Sequence, residues 1–425
     1  MTLADDRATA PASCPVQPAY NPFRPEVVTD PYPQWEGIRH ETPVFYSPQL
    51  GSYVAIGYDE IMSIMQDPES FSSAPSMPDF GDPPAELAAE FPHGFALKRN
   101  PALVNTDGAT HRTLRGLMSA AFNRFNVSTR EAHIGHLVDG LTESFDGDGH
   151  AELMSQLCLP LPIAVIVDLL ALPPDSVALI PGWAQAALVL SDPTAEAAAR
   201  LASARQWIGF EQFCRSAIAS RRAKPGDDLL STLLHASLDD GAGPGFTDDQ
   251  LVSHLAELVL AASITTSQLL SHAIARLMQH PAQLAAVRDD PDLVPPAVEE
   301  TLRQHTPTLG FFRLVTRDVV VGGVELPAGS MVQVMWGAAN HDPDKFDRPA
   351  VFDLHRVAGT PHLSFGYGAH FCLGAPLARL QTKVLLQRVV RLDGLRLAGP
   401  DAIEYAPNPV MHTLVRLEAD WDVKQ

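Results

Sequence analysis

A run of about 29 residues, Leu251 to Gln279, is apolar on most faces and, read as a helix, would be about 43 Å long. It follows Thr247-Asp248-Asp249-Gln250, a capping-box pattern. A helix of that length crosses a whole domain. A helix apolar on most faces must be covered on most sides, so it belongs in the middle of the fold. Its surroundings are helical too. From about Ala109 to Leu293, Ala- and Leu-rich runs are broken at Gly147-Asp148-Gly149, Pro173-Pro174, Asp192-Pro193, Pro225-Gly226 and Gly241 to Gly245. Further helices are expected from Asp59 to about Gln66, over 295–305, and from about Ala375 to Arg391. The β-like runs are short: Val44-Phe45-Tyr46, Ser52 to Ile56, Phe311 to Thr316, Val319 to Val321 and Met331 to Met335. No linker divides the chain. The expectation is one large, mainly α domain with a minor β part over residues 21–425, after a loose Ala-, Pro- and Asp-rich tail over 1–20.

Charge and cysteine spacing exclude several classes. Thirty Lys+Arg against 50 Asp+Glu give a formal charge of -20, which opposes nucleic acid and anionic membrane. No run reads as apolar enough to span a bilayer, and Met1 to Ala19 lacks the apolar core of a secretory signal. A cytoplasmic protein with no nucleic-acid or membrane partner is expected. Cys14, Cys158, Cys214 and Cys372 form no CxxC pair, which argues against a zinc finger, a redox dithiol or a c-type haem attachment. Residues 68–107 carry seven prolines and the aromatics Phe71, Phe80, Phe91 and Phe95. A long aperiodic stretch of that kind reads as a binding loop.

One cysteine stands apart. Ser364-Phe365-Gly366-Tyr367-Gly368-Ala369-His370-Phe371-Cys372-Leu373-Gly374 puts Cys372 among three glycines, which permit tight turns or close approach. It lies just before the helix near Gly374, with Pro376 in the first turn. Free N–H donors and the helix dipole there favour thiolate. The residues alone leave a soft metal ligand, a nucleophile with His370 as base, and an inert core cysteine all open.

Phe365-Gly366-x-Gly368-x-His370-x-Cys372-x-Gly374 resembles the haem-binding loop of the cytochrome P-450 family. The three glycines alone would coincide by chance about 3 × 10⁻⁴ of the time. Glu300-Thr301-Leu302-Arg303 resembles the family's ExxR pair. Thr265-Thr266 stands at the oxygen-binding position of the long helix, and His111-x-x-x-Arg115 resembles the early helix that meets the haem propionates. The likeness runs from about residue 22 to the C-terminus and is to the soluble bacterial branch. It implies haem b (iron protoporphyrin IX) between the long helix and the cysteine loop, with Cys372 as the axial thiolate. It further implies Phe365 near the sulfur, Gly366 and Gly368 in the loop, Gly374 and Ala261 against the porphyrin, and propionate contacts from His111, Arg115, Arg313 and His370. Thr265 and Thr266 are the catalytic hydroxyls it implies. Glu300 and Arg303 become a buried structural pair.

Two departures stand out. The family often supplies a further arginine where this chain has Val351, and Arg356 or His355 is the candidate replacement. In the long helix the usual pattern is A/G-G-x-D/E-T-T/S, but this chain reads Ala261-Ala262-Ser263-Ile264-Thr265-Thr266. Ile264 has no proton to relay. Ser263, Thr266 and Gln268 are candidates to support water chains, and Glu257 reads either as a relay or as an ordinary helix charge.

The family layout gives substrate-wall candidates Phe91, Phe95, Ala262, Ile264, Leu309, Phe311 and Met411, together with the Trp183 to Leu190 region. Lys98 and Arg99 are possible anchors for a carboxylate. Mostly apolar walls imply a small apolar or aromatic molecule. The implied reaction is insertion of one atom of O2, with electrons from NAD(P)H through a ferredoxin-type donor and a separate reductase, since no GxGxxG fold or four-cysteine spacing is present. Arg112, Arg379 and Lys383 are the expected basic patch for that donor. Two alternatives remain: another haem-thiolate oxidation (coupling, desaturation or peroxide-driven), which Ile264 favours, and a non-enzymatic haem sensor.

Overall fold

The computed structural model describes residues 14–77, 80–87, 91, 94–124, 127–192, 194–236, 245–356 and 359–423. Helix makes up 54% and strand 12%, the mainly α composition that the periodicity predicts. Backbone contacts divide the chain into two compact units. The first comprises Met1–Ser76, Val138–Cys158 and Thr265–Gln425; the second comprises Met77–Leu137 and Leu159–Ile264.

The first unit holds the sheets. A five-stranded sheet runs in the order Val44–Ser47, Ser52–Ala55, Met331–Val334, Phe311–Val315, Phe71–Ser72. Its one parallel pair joins Tyr53 to Val332 and Ala55 to Val334. Both inner strands are buried along their length, as expected where packing covers both faces. A second sheet forms around Thr413–Asp420, flanked by Ile403–Ala406, His150–Glu152 and Arg396–Leu397. Val324–Leu326, which pairs with Val319–Val321, carries too few residues to show a period of its own. Residues 14–20, expected in the tail, are packed here. Val16 bridges to Tyr46, and Tyr20 is buried in a cluster with Trp35, Phe45, Ile56, Leu309 and Met335.

The second unit is helical. Its longest element is Ala197–Ala223, against which Ile180–Ser191 packs. Trp183 stacks on Phe210 at 4.6 Å. The helix Asp248–Gln279, expected at Leu251–Gln279, belongs to the second unit as far as Ile264 and to the first from Thr265. Contrary to the sequence expectation, it is long and apolar enough to cross a membrane; 72% of its most apolar window is nevertheless buried in the protein.

The first unit also contains a buried group of histidines. His272, His305 and His412 lie with ring centroids 4.9, 5.7 and 5.9 Å apart. His341 stacks on Tyr32 at 3.8 Å, and Tyr405 stacks on His412 at 4.3 Å. Backbone carbonyls orient two of the rings: His272 Nδ1 meets His305 O, and His412 Nε2 meets Thr29 O, both at 3.2 Å. Burial is the main reason all four imidazoles are held below their usual range, His412 at about 4 and His341 at about 3.

Candidate functional site

The cysteine loop is built from the first unit. Gly366 and Gly368 adopt φ +70° and +69°, a region that side chains with a Cβ rarely occupy. A Cβ on Gly368 would also come within 3.1 Å of Met65 O. These turns bring Cys372 back so that its amide donates to Phe365 O at 2.9 Å. The helix Ala375–Val389 begins three residues later with Pro376 in its first turn. Cys14, Cys158 and Cys214 are buried, whereas Cys372 is partly exposed. A Cβ on Gly374 would meet nothing closer than the Cys372 sulfur, at 3.9 Å. The loop therefore presents one thiol beside an open glycine face. A porphyrin with an axial thiolate fits that shape and that donor chemistry.

Charged groups anchor the loop at both ends. Arg379 donates to Glu299 through Nε and an NH2 at 2.6 and 2.9 Å, and its guanidinium lies 4.5 Å from the Phe365 ring centroid. His362 Nε2 meets the same carboxylate at 3.1 Å. Burial alone would push Glu299 up, but the hydrogen bonds from His362 and Arg379 hold it at about 2. Arg379, expected in an open basic patch, is thus committed to a carboxylate.

The Glu300 and Arg303 pair is buried. Arg303 donates to both Glu300 oxygens at 2.8 Å. Arg356, not His355, takes the missing arginine's place: its Nε lies 3.2 and 3.1 Å from the two Glu300 oxygens, and it also donates to Val351 O at 2.8 Å. Arg303 donates to Asn340 O at 2.9 Å. The Asn340 side chain accepts from the Leu363 amide at 2.7 Å and donates to Ser364 Oγ at 2.9 Å. The chain of bonds thus runs from the pair to the first residues of the cysteine loop. Glu300→Gln leaves the buried Arg303 and the half-buried Arg356 guanidinium groups with less counter-charge, at an expected cost of about 3–5 kcal/mol. Denaturant unfolding checks this, and an unchanged midpoint would refute the assignment.

Other predicted residues fall as follows. Arg313 is buried and donates to Ser76 Oγ at 2.7 Å, while His370 Nε2 meets Ser73 Oγ at 3.1 Å. Both thus converge on residues 73–76. His111 and Arg115 lie one turn apart on Gly108–Arg124 in the second unit. Burial first, then Arg115, lowers the His111 imidazole. Phe95 is fully buried, 6.2 Å from Phe80 and 6.0 Å from Phe91. Leu309 is committed to the core, Phe311 packs edge-on to Trp336 at 5.3 Å, and Met411 bridges to Thr308. Lys98 and Arg99, considered as carboxylate anchors, pair with Asp82 and Asp249.

In the middle of the long helix, Leu258, Ala262, Ile264 and Thr265 are partly accessible and Ala261 is exposed. Leu258, Ala261, Ala262 and Thr265 share one face by their spacing. Two expected relay groups are already engaged. Ser263 donates back to Val259 O at 2.6 Å. Gln268 makes both bonds of a backbone pairing with Leu414, at 3.0 and 2.6 Å. Glu257 accepts the Leu103 and Val104 amides at 2.9 and 3.1 Å, so it anchors backbone. Asn340, Glu299, Ser73 and Ser76 were not picked out in the sequence. They are single polar residues in aperiodic stretches, and no spacing signals them.

The family model for cytochrome P-450 matches residues 205–392. The chain is 33% identical to the cytochrome P-450 monooxygenase PikC of Streptomyces venezuelae, over 93% of this chain and 92% of that one. It is 33% identical to the erythromycin C-12 hydroxylase of Saccharopolyspora erythraea, over 85% and 86%. The structure of cytochrome P-450 CYP109Q5 from Chondromyces apiculatus superposes with a TM-score of 0.82 at 29% identity, covering 95% of this chain and 98% of that one. A thiol on a positive-φ glycine loop, tied by Asn340 to a buried Glu300–Arg303 pair, thus occurs on a backbone shared with solved haem-thiolate enzymes, and the chain belongs to the cytochrome P-450 family of oxidoreductases as a monooxygenase.

Proposed function

We propose that the chain inserts one oxygen atom from O2 into a small apolar or aromatic molecule, using iron protoporphyrin IX and electrons from NAD(P)H through a ferredoxin and a separate reductase. The observation that carries this reading is the partly exposed Cys372 thiol on its glycine loop. The haem, when bound, supplies the oxygen-activating chemistry, with Cys372 as its thiolate ligand. Arg313 and His370 are suited to hold its propionates, since charged donors favour carboxylates. Thr265 offers a hydroxyl on the accessible face of the long helix. Leu258, Ala261 and Ala262 on that face give an apolar lining that excludes water and suits an apolar ligand. The name of the erythromycin C-12 hydroxylase supports hydroxylation at carbon of an organic molecule as one case. Turnover of candidate substrates with NADH, ferredoxin and reductase tests the reading. Binding without oxygen-dependent product, across a broad apolar panel, would reject it.

Ile264 favours a second reading, in which oxidation is peroxide-driven or ends in coupling or desaturation. The position usually held by a carboxyl has no proton to give, and Ser263 and Gln268 are already engaged. Placing a carboxyl there separates the two. Ile264→Asp is expected to raise the oxygen-driven rate about tenfold, a modest share of what a positioned general acid contributes, and to lower peroxide release. Equal rates and coupling in both proteins would leave proton delivery independent of this position.

A further inference from the structure

We propose that Glu211 is a positioning residue for substrate binding: one buried oxygen, shared by the Ala96 amide and the Trp207 indole, fixes the stretch Phe95–Asn105 against the helix Ala197–Ala223 and so sets the apolar wall that a ligand meets. The proposal rests on the preceding reading in taking the ligand as apolar, and on the family likeness in taking Phe95 as part of its wall.

Glu211 is 1% exposed and sits within a helix, where an isolated carboxylate is costly to bury. Its Oε1 accepts from the Ala96 amide at 2.8 Å and from Trp207 Nε1 at 3.1 Å. Its Oε2 is buried without a hydrogen-bond partner in the described structure. The surroundings are aromatic. Phe80 lies 4.8 Å from Trp207, and Phe210 lies 5.1 Å from it. Phe95, directly before Ala96, is fully buried against Phe80. A second carboxylate fixes the far end of the same stretch, where Glu257 of the long helix takes the Leu103 and Val104 amides. Two acids on two helices thus hold three backbone amides of the stretch, beside the Arg99–Asp249 ion pair and the bond from Asn105 Nδ2 to Met77 O.

The two attachments differ chemically. Glu257 is partly accessible and also meets His254 Nδ1 at 3.2 Å. Glu211 faces Arg215 on its own helix and Arg99 on Ala96–Arg99, but both cations pair at 2.6 Å with Asp249 of the long helix. Cys214 is its buried neighbour. Burial raises the Glu211 carboxyl, opposed by the bonds from Ala96 and Trp207 and by the two arginines. Acid weakens the Glu211 attachment, because a neutral acceptor holds an amide less strongly than a charged one.

Hydrogen–deuterium exchange of the Ala96 amide, corrected for intrinsic rates, is compared in wild type, Glu211→Gln and Glu211→Ala between pH 5 and 8. Wild type is expected to lose protection as pH falls. Glu211→Gln keeps an acceptor oxygen and is expected to be protected without pH dependence. Glu211→Ala is expected to exchange about tenfold faster, the loss of a charge-assisted bond. In parallel, the haem-loaded proteins are titrated with imidazole and with 4-phenylimidazole. Glu211→Ala is expected to weaken only 4-phenylimidazole, about tenfold, with rescue in Glu211→Gln. Equal Ala96 protection in all three proteins, or equal 4-phenylimidazole affinity, overturns the proposal. If Glu211→Ala does not fold, the pH profile of wild type against Glu211→Gln decides alone. Failure to load haem would count against the proposed function and leave the exchange result standing.

Discussion

Cys372→Ser is expected to abolish the red-shifted Soret band of the reduced, carbon-monoxide-bound protein, with the helical content unchanged. The backbone of the loop does not depend on the sulfur. The amide of residue 372 still donates to Phe365 O, Gly366 and Gly368 keep their positive φ, and Arg379 still bridges Phe365 and Glu299. Serine replaces a soft, readily ionised ligand by a hydroxyl that stays protonated near neutral pH and binds iron poorly. Haem would be held more weakly, and its spectrum would lose the signature of thiolate donation. Absorption spectroscopy of the reduced carbonyl complex is the measurement. Persistence of the thiolate band in the variant would remove Cys372 as the ligand.

Acid is expected to unfold this protein steeply, beginning below about pH 6.5. His272, His341 and His412 are buried and His305 is half-buried, and all four have imidazoles lowered by desolvation. In the unfolded chain each regains an ordinary pKa near 6.5. Below that pH the unfolded state binds more protons than the folded one, so stability falls as pH falls. Above it both states hold neutral imidazole and the contribution is flat. Each group costs about 1.4 kcal/mol per pH unit, so His341 and His412, held at about 3 and about 4, together cost on the order of 4 kcal/mol between pH 6.5 and 5, and His272 and His305 act in the same direction. That is a large share of the stability of an ordinary domain, about 5–15 kcal/mol. Urea unfolding followed from pH 7.5 to 5 checks the slope. His412→Asn, removing one titrating ring, is expected to flatten it by about 1.4 kcal/mol per pH unit between pH 6.5 and 5. A slope unchanged in that variant would exclude His412 as a contributor.

The local features were legible because each depends on nearest neighbours. The capping box at Thr247 is formed: Gln250 accepts the Thr247 amide, and the Gln250 amide donates back to Thr247 Oγ. The long apolar run after that box marked the long helix, and glycines at 366 and 368 marked positions where the backbone turns left-handed. The spacing of Cys372, Glu300 and Thr265 was readable as a family likeness, since motif spacing survives where most other residues change. The aperiodic stretches were not legible. Nothing in the order of residues 340 to 356 tells that Asn340 would hold the cysteine loop, or decides between Arg356 and His355 for the place left by Val351.

What the sequence by itself determined is the class of protein: a mainly α chain with one long apolar helix and a cysteine loop whose spacing resembles that of the cytochrome P-450 family. Tertiary structure alone decided the roles of the acids. Glu257 looked like a relay or a surface charge, yet it holds two backbone amides. Glu211 carried no signal at all, yet it is among the most buried acids of the second unit. The physical reason is that a carboxylate's function follows from which donors and how much water surround it, and those neighbours come from segments more than a hundred residues away, as from Ala96 to Glu211 and from Leu103 to Glu257.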